Sequence, residues 1–146
     1  MKTRFNLLSV VSQAYKPLIE LDKLLSDLQL EPIQKEMIKI RTSQINGCAY
    51  CLNMHSKDAL KYGENPQRIF VMSAWREARN WFDEKEQLIL ELTEQVTLIA
   101  DHGVSDEIFE RAVALLGEET TAKVILAIVS MNAWNRLGIA FGKHPE

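Results

Sequence analysis

The apolar residues of this chain recur at intervals of three and four positions along almost its whole length. That spacing places them on one face of an α-helix, whereas a half-buried β-strand would alternate apolar and polar residues, and no stretch does so convincingly. The pattern therefore predicts an all-α fold of about six to seven helices in one domain over residues 1–146. Before the first helix, the N-terminus is expected to be irregular or partly extended.

Residues that favour helix ends divide the pattern into separate helices. Pro32 and Pro66 suit the first turn of a helix, and Asp83 with Glu86 three positions later is a capping box. The first predicted helix opens around Pro17, with Leu18, Leu21, Leu25 and Leu28 on one face. The other predicted helices, in chain order, are Pro32 to the break at Asn46-Gly47, Cys48 to about Tyr62, Asn65 through Trp75, Asp83 to near Gly103, Ser105 to Gly117, and about Glu119 to Ile139. The last has an almost continuously apolar first half, so we expect it to be the most buried element.

Composition narrows the class of protein. The chain has 146 residues, of which 47% are apolar and 25% are charged, and its formal net charge is −3. A chain of this size buries enough surface to fold without a disulfide or a metal. Charges of both signs are mixed along the chain, and no basic patch favours binding of nucleic acid. The most apolar run, Val124–Val129, is too short to span a bilayer. The N-terminus does not resemble a secretory signal peptide. We therefore expect a cytoplasmic protein that binds neither nucleic acid nor membrane.

The segment from Asn46 to His55 carries the candidate chemistry. Cys48 and Cys51 are three residues apart at a predicted helix start, which puts both sulfurs on one face and within reach of a disulfide. The N-terminus of a helix favours the thiolate over the thiol. His55 lies one turn beyond Cys51 on the same face, where it can take a proton from a thiol or return one. The segment thus supplies a nucleophile, a resolving thiol and a base.

Two other interpretations of these residues remain open from the spacing alone. Paired cysteines also occur as small apolar residues of a core. Cys48, Cys51 and His55 would also supply three ligands for zinc, but a structural zinc ion takes four, so His102 or a carboxylate would have to complete the site. His102 and His144 are predicted at a helix end and in the tail, where exposed positions are more usual than metal ligands.

Glu36 extends the motif to four residues. On its own, a glutamate on an amphipathic helix is usually exposed. Its spacing of twelve positions to Cys48, followed by Cys51 and His55, matches the Glu–CxxC–xxxHis pattern of the carboxymuconolactone decarboxylase-like superfamily. The chain resembles most closely the AhpD-type alkylhydroperoxidase branch of that superfamily. The resemblance is most specific over Glu31–Gly63. It is looser over Glu84–Ala100 and over Met131–Arg136 in the last helix.

This resemblance implies a fold, an assembly and a set of roles. It implies a helical domain with the CxxC motif at the N-terminus of a central helix, and a homo-oligomer, commonly a trimer or hexamer. Cys51 would be the thiol that attacks the peroxide and Cys48 the resolving thiol. His55 would relay a proton, with Glu36 holding or recharging the relay. Because sulfur performs the two-electron chemistry, no haem, flavin, metal or other cofactor is expected.

The sequence departs from the best-known alkylhydroperoxidases just before the second cysteine. Those enzymes carry a second histidine there, whereas this chain has Tyr50. Tyr50 is expected as a wall of the pocket or as a proton donor, and Trp134 and Asn135 of the last helix as lining of the same pocket. Plain packing or an interface is an equal alternative for each of the three. The helix dipole alone would favour Cys48 as the more acidic thiol, whereas the family pattern favours Cys51.

The resulting hypothesis is a thiol-dependent antioxidant oxidoreductase that reduces hydroperoxides through a reversible Cys48–Cys51 disulfide, with a dithiol as reductant. The same residues would also serve a protein dithiol-disulfide reductase. They would serve a non-enzymatic redox-sensing oligomer as well, in which the disulfide switches an interface. A lactone decarboxylase is disfavoured, since decarboxylation has no evident need for two thiols.

Overall fold

The computed structural model describes residues 4–145, and the prediction of an all-α fold is confirmed across them. The helices are α1 (Leu7–Val10), α2 (Lys16–Leu24), α3 (Pro32–Asn46), α4 (Ala49–Lys61), α5 (Pro66–Val71), α6 (Glu84–Thr97), α7 (Ile99–His102), α8 (Asp106–Leu116) and α9 (Glu118–Ala140), with a run of 3-10 turns at Met72–Trp81 between α5 and α6. Two of these nine α-helices, α1 and α7, are four-residue turns, which explains why the sequence predicts fewer.

Most helix ends lie where local sequence signals place them. Glu31 and Gln34 form a capping box at the start of α3, and Gly47 ends that helix with a φ of 70°. This left-handed conformation is readily available to glycine but strained for other residues. The Asp83–Glu86 capping box opens α6 as predicted. These ends are therefore set by local hydrogen bonds rather than by distant packing.

The centre of the domain is α3, which packs against α4, α6 and α9. Its two faces belong to different apolar clusters. Ile38 joins one cluster with residues of α6, α8 and α9, while Met37 and Ile40 join a second with residues of α4, α5 and the 3-10 segment. All three side chains are at most 1% exposed, and burying each contributes about 1.5–3 kcal/mol. Because α3 is held on both sides, it is a rigid support for the functional residues it carries.

The helix predicted to run through Trp75 is shorter in the structure. It ends at Val71, and 3-10 turns follow, with non-helical backbone angles at Ala74 and Ala78. A 3-10 helix has three residues per turn, so Met72 and Trp75 both face the core, where neither is more than 1% exposed.

Trp75 belongs to a polar junction that joins three elements. Its indole Nε1–H donates to Glu94 Oε1 on α6 over 2.9 Å, and Arg41 on α3 approaches the same oxygen to 2.7 Å. Arg76 pairs with the other oxygen of Glu94. The buried carboxylate thus ties α3, α6 and the 3-10 segment together.

Two further predictions of local structure are corrected. The N-terminal segment, expected to be irregular or partly extended, contains α1, whose first turn is capped by the Asn6 side chain. The helix predicted from Asp83 to near Gly103 is interrupted at Leu98, where α6 gives way to α7. The chain bends back there because the Ser105 N–H donates to Gln95 Oε1 on α6 over 2.9 Å.

The prediction that the last helix would be the most buried element is wrong. Nine of the fourteen residues of α6 are buried, against eight of the twenty-three residues of α9. The reason is that α9 packs on neighbouring helices with part of its circumference only, so that Leu126 and Val129 stay 38% and 47% exposed. Within residues 4–145, no helix is both long enough and apolar enough to cross a membrane.

The two ends of the described chain lie side by side. The backbone N–H of Arg4 donates to the carbonyl oxygen of Phe141 over 3.4 Å, and the rings of Phe5 and Phe141 pack edge to face with their centroids 5.4 Å apart. Just beyond, the Lys143 N–H donates to the Gly138 carbonyl and continues the end of α9. The C-terminal residues are thereby held against the helices that form the candidate site.

Candidate active site

The turn between α3 and α4 positions the two cysteines. Cys48 follows Gly47 and is the N-cap residue of α4, so Cys51 lies in the first turn of that helix. The two are joined in a disulfide, with Cα atoms 5.4 Å apart, and the Cys51 N–H donates to Cys48 Sγ over 3.4 Å. The prediction of a CxxC pair at a helix N-terminus, close enough for a disulfide, is confirmed.

Helix α9 covers the disulfide from behind, and Gly138 is the residue that lets it approach. A Cβ at this position would lie 3.4 Å from Cys48 Sγ and 3.8 Å from Cys51 Sγ. Met131 and Trp134 of the same helix pack on the cysteines as well. Gly138 was not predicted from the sequence, although a lone glycine within a helical pattern signals a close approach of this kind.

His55 and Glu36 are in direct contact, which brings the four residues of the motif to one site. His55 Nδ1 lies 2.8 Å from Glu36 Oε2, across the α3–α4 pair. Lys39 Nζ, one turn after Glu36, donates to the other carboxylate oxygen over 2.6 Å. Glu36 is 4% exposed and His55 8% exposed, so both groups are withdrawn from water.

The surroundings of Glu36 decide its protonation. Burial has the largest single effect and raises the pKa of this carboxyl. The hydrogen bonds from His55 and Lys39, together with the charges of those groups, outweigh burial, so that the pKa of Glu36 is below its ordinary value. Glu36 is therefore a carboxylate at neutral pH and accepts a hydrogen from His55 Nδ1. When Nδ1 donates to Glu36, Nε2 is the ring nitrogen that can exchange a proton with a neighbouring thiol.

Asp58 is a second carboxylate at this site and was not identified from the sequence. Ligand atoms of Glu36, His55 and Asp58 lie within 4.8 Å of one another. Each carboxylate already accepts a hydrogen bond from a lysine, Glu36 from Lys39 and Asp58 from Lys61. The group is therefore a balanced set of charges around the imidazole. Its sequence signal was the position of Asp58 three residues after His55 on the same helix.

A cavity of about 520 Å³ opens beside the disulfide, within the size range of small-molecule sites. Cys51 and His55 line it, whereas Cys48 does not. Its larger apolar lining residues are Leu25, Leu28, Ile38, Met54, Met131, Trp134 and Leu137. Its polar lining residues are Tyr15, Asp22, Ser26, Lys35, Lys39, Tyr50, Ser130 and Lys143, in addition to His55. One cysteine of the pair thus faces a mainly apolar cavity that is open to solvent on one side.

The three residues predicted to line a pocket are placed differently from one another. Tyr50 and Trp134 line the cavity, and the Trp134 indole donates to Asp22 over 2.9 Å. Asn135 does not line it. That side chain is fully buried against α3, where its amide donates to Ser43 Oγ and its oxygen accepts from Asn46, each over 3.0 Å. As predicted, His102 and His144 are exposed.

Together, the fold and the site define an all-helical protein with a CxxC disulfide beside a mainly apolar cavity. The model of the carboxymuconolactone decarboxylase family matches residues 13–95, which is more than half of the 146-residue chain. The protein belongs to this family and, by its structural similarity, to the AhpD-type branch. The sequence-based resemblance to that branch is confirmed.

Individual relatives agree with this assignment. The chain is 37% identical over 142 residues to the uncharacterized protein YdfG of Bacillus subtilis (strain 168), covering 97% of this chain and 96% of YdfG. A crystal structure of a protein of unknown function from Agrobacterium tumefaciens, a candidate antioxidant defence protein AhpD, superimposes with a TM-score of 0.92 and 36% identity over 99% of both chains. The debrominase Bmp8 shares the fold at a TM-score of 0.81 and 18% identity, covering 95% of this chain and 74% of Bmp8. The family and the AhpD-like neighbour point to an antioxidant, peroxidase-related function.

Proposed function

We propose that this protein is a thiol peroxidase that reduces organic hydroperoxides through a reversible Cys48–Cys51 disulfide. One observation carries the proposal: Cys51 and His55 line the same cavity, and Glu36 accepts a hydrogen bond from the far side of the imidazole. A nucleophile beside a base that is itself oriented by a carboxylate is the arrangement that activates a thiol. A thiol peroxidase requires these groups and no further cofactor.

The first half of the cycle oxidises Cys51. His55 Nε2 takes the proton of the Cys51 thiol, and the resulting thiolate attacks one oxygen of the O–O bond of the hydroperoxide. That bond breaks, the sulfur becomes a sulfenic acid, and the leaving alkoxide takes the proton from His55 to depart as an alcohol. Two electrons pass from sulfur to the peroxide. The Glu36 carboxylate stabilises the imidazolium that exists between the two proton transfers.

The second half of the cycle restores the thiols. The Cys48 thiolate attacks the sulfenic sulfur of Cys51, which forms the disulfide and releases water once the hydroxyl group has gained a proton. A dithiol reductant then returns two electrons by thiol–disulfide exchange and is itself oxidised to a disulfide. Cys48 suits the resolving role because its sulfur accepts a backbone N–H at the start of α4, which stabilises the thiolate.

Burial of the sulfurs favours small molecules over protein disulfides as the oxidising substrate. Cys48 is 2% exposed and Cys51 is 3% exposed, and Cys51 is reached through the cavity. A folded protein cannot bring its own disulfide to such a sulfur, whereas an organic hydroperoxide can enter. By the same reasoning, the reductant is a slender dithiol or a dithiol on a flexible arm. We therefore rank a general protein disulfide reductase below a peroxidase.

We propose further that the protein acts as a homo-oligomer in the cytoplasm. Leu126 and Val129 on α9 and Ile19 and Leu24 on α2 are large apolar side chains that are between 38% and 57% exposed in the single chain. Apolar surface of this kind is commonly covered in an assembly. A trimer or hexamer is the assembly that the resemblance implies. The reducing cytoplasm would supply the dithiol that the cycle requires.

The proposal is tested by treating the fully reduced protein with one equivalent of an organic hydroperoxide. We expect the loss of two hydrogens from the intact mass and of both free thiols, because the chain has two cysteines and each contributes one thiol. Cumene hydroperoxide serves as the oxidant, and thiols are counted by alkylation after denaturation. Thiols that remain reduced would rule out the peroxidase function.

A second prediction concerns the proton relay. Replacing Glu36 by Gln removes the charge that stabilises the His55 imidazolium, so we expect the rate of Cys51 oxidation to fall about 10- to 100-fold. Glu36→Asp keeps the charge and is expected to lose less. The matched control is Glu20→Gln, because Glu20 pairs with Lys23 on an exposed surface. Stopped-flow measurement of oxidation across a range of pH separates loss of the relay from general damage, since only the former changes the pH profile.

A further inference from the structure

We propose that the cavity beside Cys51 binds amphipathic anions, so that the favoured hydroperoxides are those that carry a carboxylate on an apolar chain, as fatty-acid hydroperoxides do. Reduction of such hydroperoxides rests on the proposed function. Anion binding rests on the cavity alone, and its test does not require turnover.

The charge of the cavity is opposite to that of the chain. The whole sequence carries 17 lysines and arginines against 20 acidic residues, for a net charge of −3. Among residues 4–145, by contrast, the charged residues that line the cavity are three lysines and one carboxylate, which are Lys35, Lys39, Lys143 and Asp22. A local excess of positive charge in an acidic protein raises the local concentration of anions.

Lys143 is the cation best placed to hold the head of a ligand. Its ammonium group lies over the rings of Tyr15 and Tyr50, 5.1 Å and 5.4 Å from their centroids, and both rings line the cavity. Tyr50 directly precedes Cys51 in the chain, and Cys51 and Lys143 line the same cavity. Within residues 4–145, no carboxylate pairs with Lys143 or with Lys35. Lys39, in contrast, is engaged by Glu36.

The single carboxylate of the lining is already occupied by donors. Ser130 Oγ donates to Asp22 Oδ1, and Trp134 Nε1 donates to Asp22 Oδ2 over 2.9 Å. Both oxygens of Asp22 are thus engaged by side chains of α9, and no ion pair joins Asp22 to Lys143.

The rest of the lining fits an apolar chain. Leu25, Leu28, Ile38, Met131 and Leu137 come from three separate parts of the fold, the α2–α3 connection, α3 and α9, and meet in this one space. Burying an alkyl chain against them is favourable by about 0.8 kcal/mol for each buried CH₂ group. A cation that pairs with no carboxylate of residues 4–145, beside a mainly apolar lining, thus matches a molecule with one anionic head and a hydrocarbon body.

The experiment compares decanoate with decanol, which share a chain and differ in the charge of the head group. Titration of the oxidised full-length protein by calorimetry at low salt is expected to give about tenfold tighter binding of decanoate. Lys143→Met should remove most of this preference, and Lys143→Arg should keep it. Lys57→Met is the matched control, because Lys57 is an exposed lysine of α4 outside the cavity.

Each outcome decides the proposal. Equal binding of the two compounds, no binding of either, or a preference that survives in Lys143→Met would overturn it. Turnover is then measured with a fatty-acid hydroperoxide and its methyl ester. If decanoate is preferred and neither hydroperoxide is reduced, the anion site stands and the proposed peroxidase function fails. If both hydroperoxides are reduced equally and decanoate has no advantage, the peroxidase function stands and the anion site fails.

Discussion

Cys51→Ser is expected to abolish hydroperoxide reduction, with a loss of at least about 10³-fold in turnover. The reason is that Cys51 is the cysteine that lines the cavity, and a serine hydroxyl in its place can neither reach a sulfenic state nor form a disulfide. Turnover is measured as hydroperoxide consumption in the presence of excess dithiothreitol. The remaining Cys48 is expected to stay reduced, because it does not face the cavity.

Cys48→Ser is the matched comparison for this experiment. It should leave Cys51 able to react once, so that the protein gains a single oxygen as a sulfenic acid and then stops for lack of a resolving thiol. Mass spectrometry after trapping with dimedone distinguishes the two variants. If Cys51→Ser instead becomes the variant that gains oxygen, then Cys48 is the first nucleophile, as the helix dipole alone would favour.

Replacing Glu94 by Gln is expected to destabilise the fold strongly. The change leaves Arg41, whose side chain is only 14% exposed, without its carboxylate partner and weakens the contact to Trp75. Breaking a largely buried ion pair in this way costs about 2–4 kcal/mol in the free energy of unfolding. Urea denaturation at neutral pH measures the loss. Glu119→Gln, at the exposed surface of α9, should change stability little.

The same variant predicts a pH dependence. Burial raises the pKa of Glu94 most strongly, but hydrogen bonds from Trp75 and Arg76 and the interactions with Arg41 more than offset it, so that the pKa is below its ordinary value. A carboxyl whose pKa is lowered by folding stabilises the folded protein at pH values above the pKa that this carboxyl has in the unfolded chain. That stabilisation is lost as the pH falls through the pKa of the carboxyl in the folded protein. The stability difference between the wild type and Glu94→Gln should therefore shrink in acid. A difference that stays constant down to about pH 3 would contradict this origin.

Local chemistry explains which parts of the fold the sequence could predict. Gly47 ends α3, and Asp83 and Glu86 open α6, because these residues act on hydrogen bonds within a few positions of themselves. The 3-10 turns near Trp75 could not be predicted in the same way. They depend on the contact between Trp75 and Glu94, which are 19 positions apart. Contacts between residues so far apart in the sequence do not produce a spacing pattern that could be recognised in the sequence.

The residues of the candidate site also differ in whether local sequence or tertiary contacts determine them. Cys48, Cys51 and His55 follow from spacing within one helix, and Glu36 was found only because its spacing matched a family pattern. Gly138 was missed, since its role depends on how closely α9 approaches the disulfide. Asn135 was expected either at the pocket or in packing, but side-chain direction on a long buried helix is set by tertiary contacts, and this side chain bonds to α3.

The meeting of the two chain ends has a practical consequence for experiments on this protein. Arg4 and Phe5 contact Phe141, and two residues later Lys143 covers Tyr15 and Tyr50 at the cavity. A peptide fused after Glu146 would thus behave as a tethered ligand, because a short flexible linker holds its cargo at an effective concentration in the millimolar range. Purification tags rich in apolar or acidic residues would occupy the cavity and depress measured affinities. Tyr62, which is exposed at the end of α4, is the better point of attachment for a label.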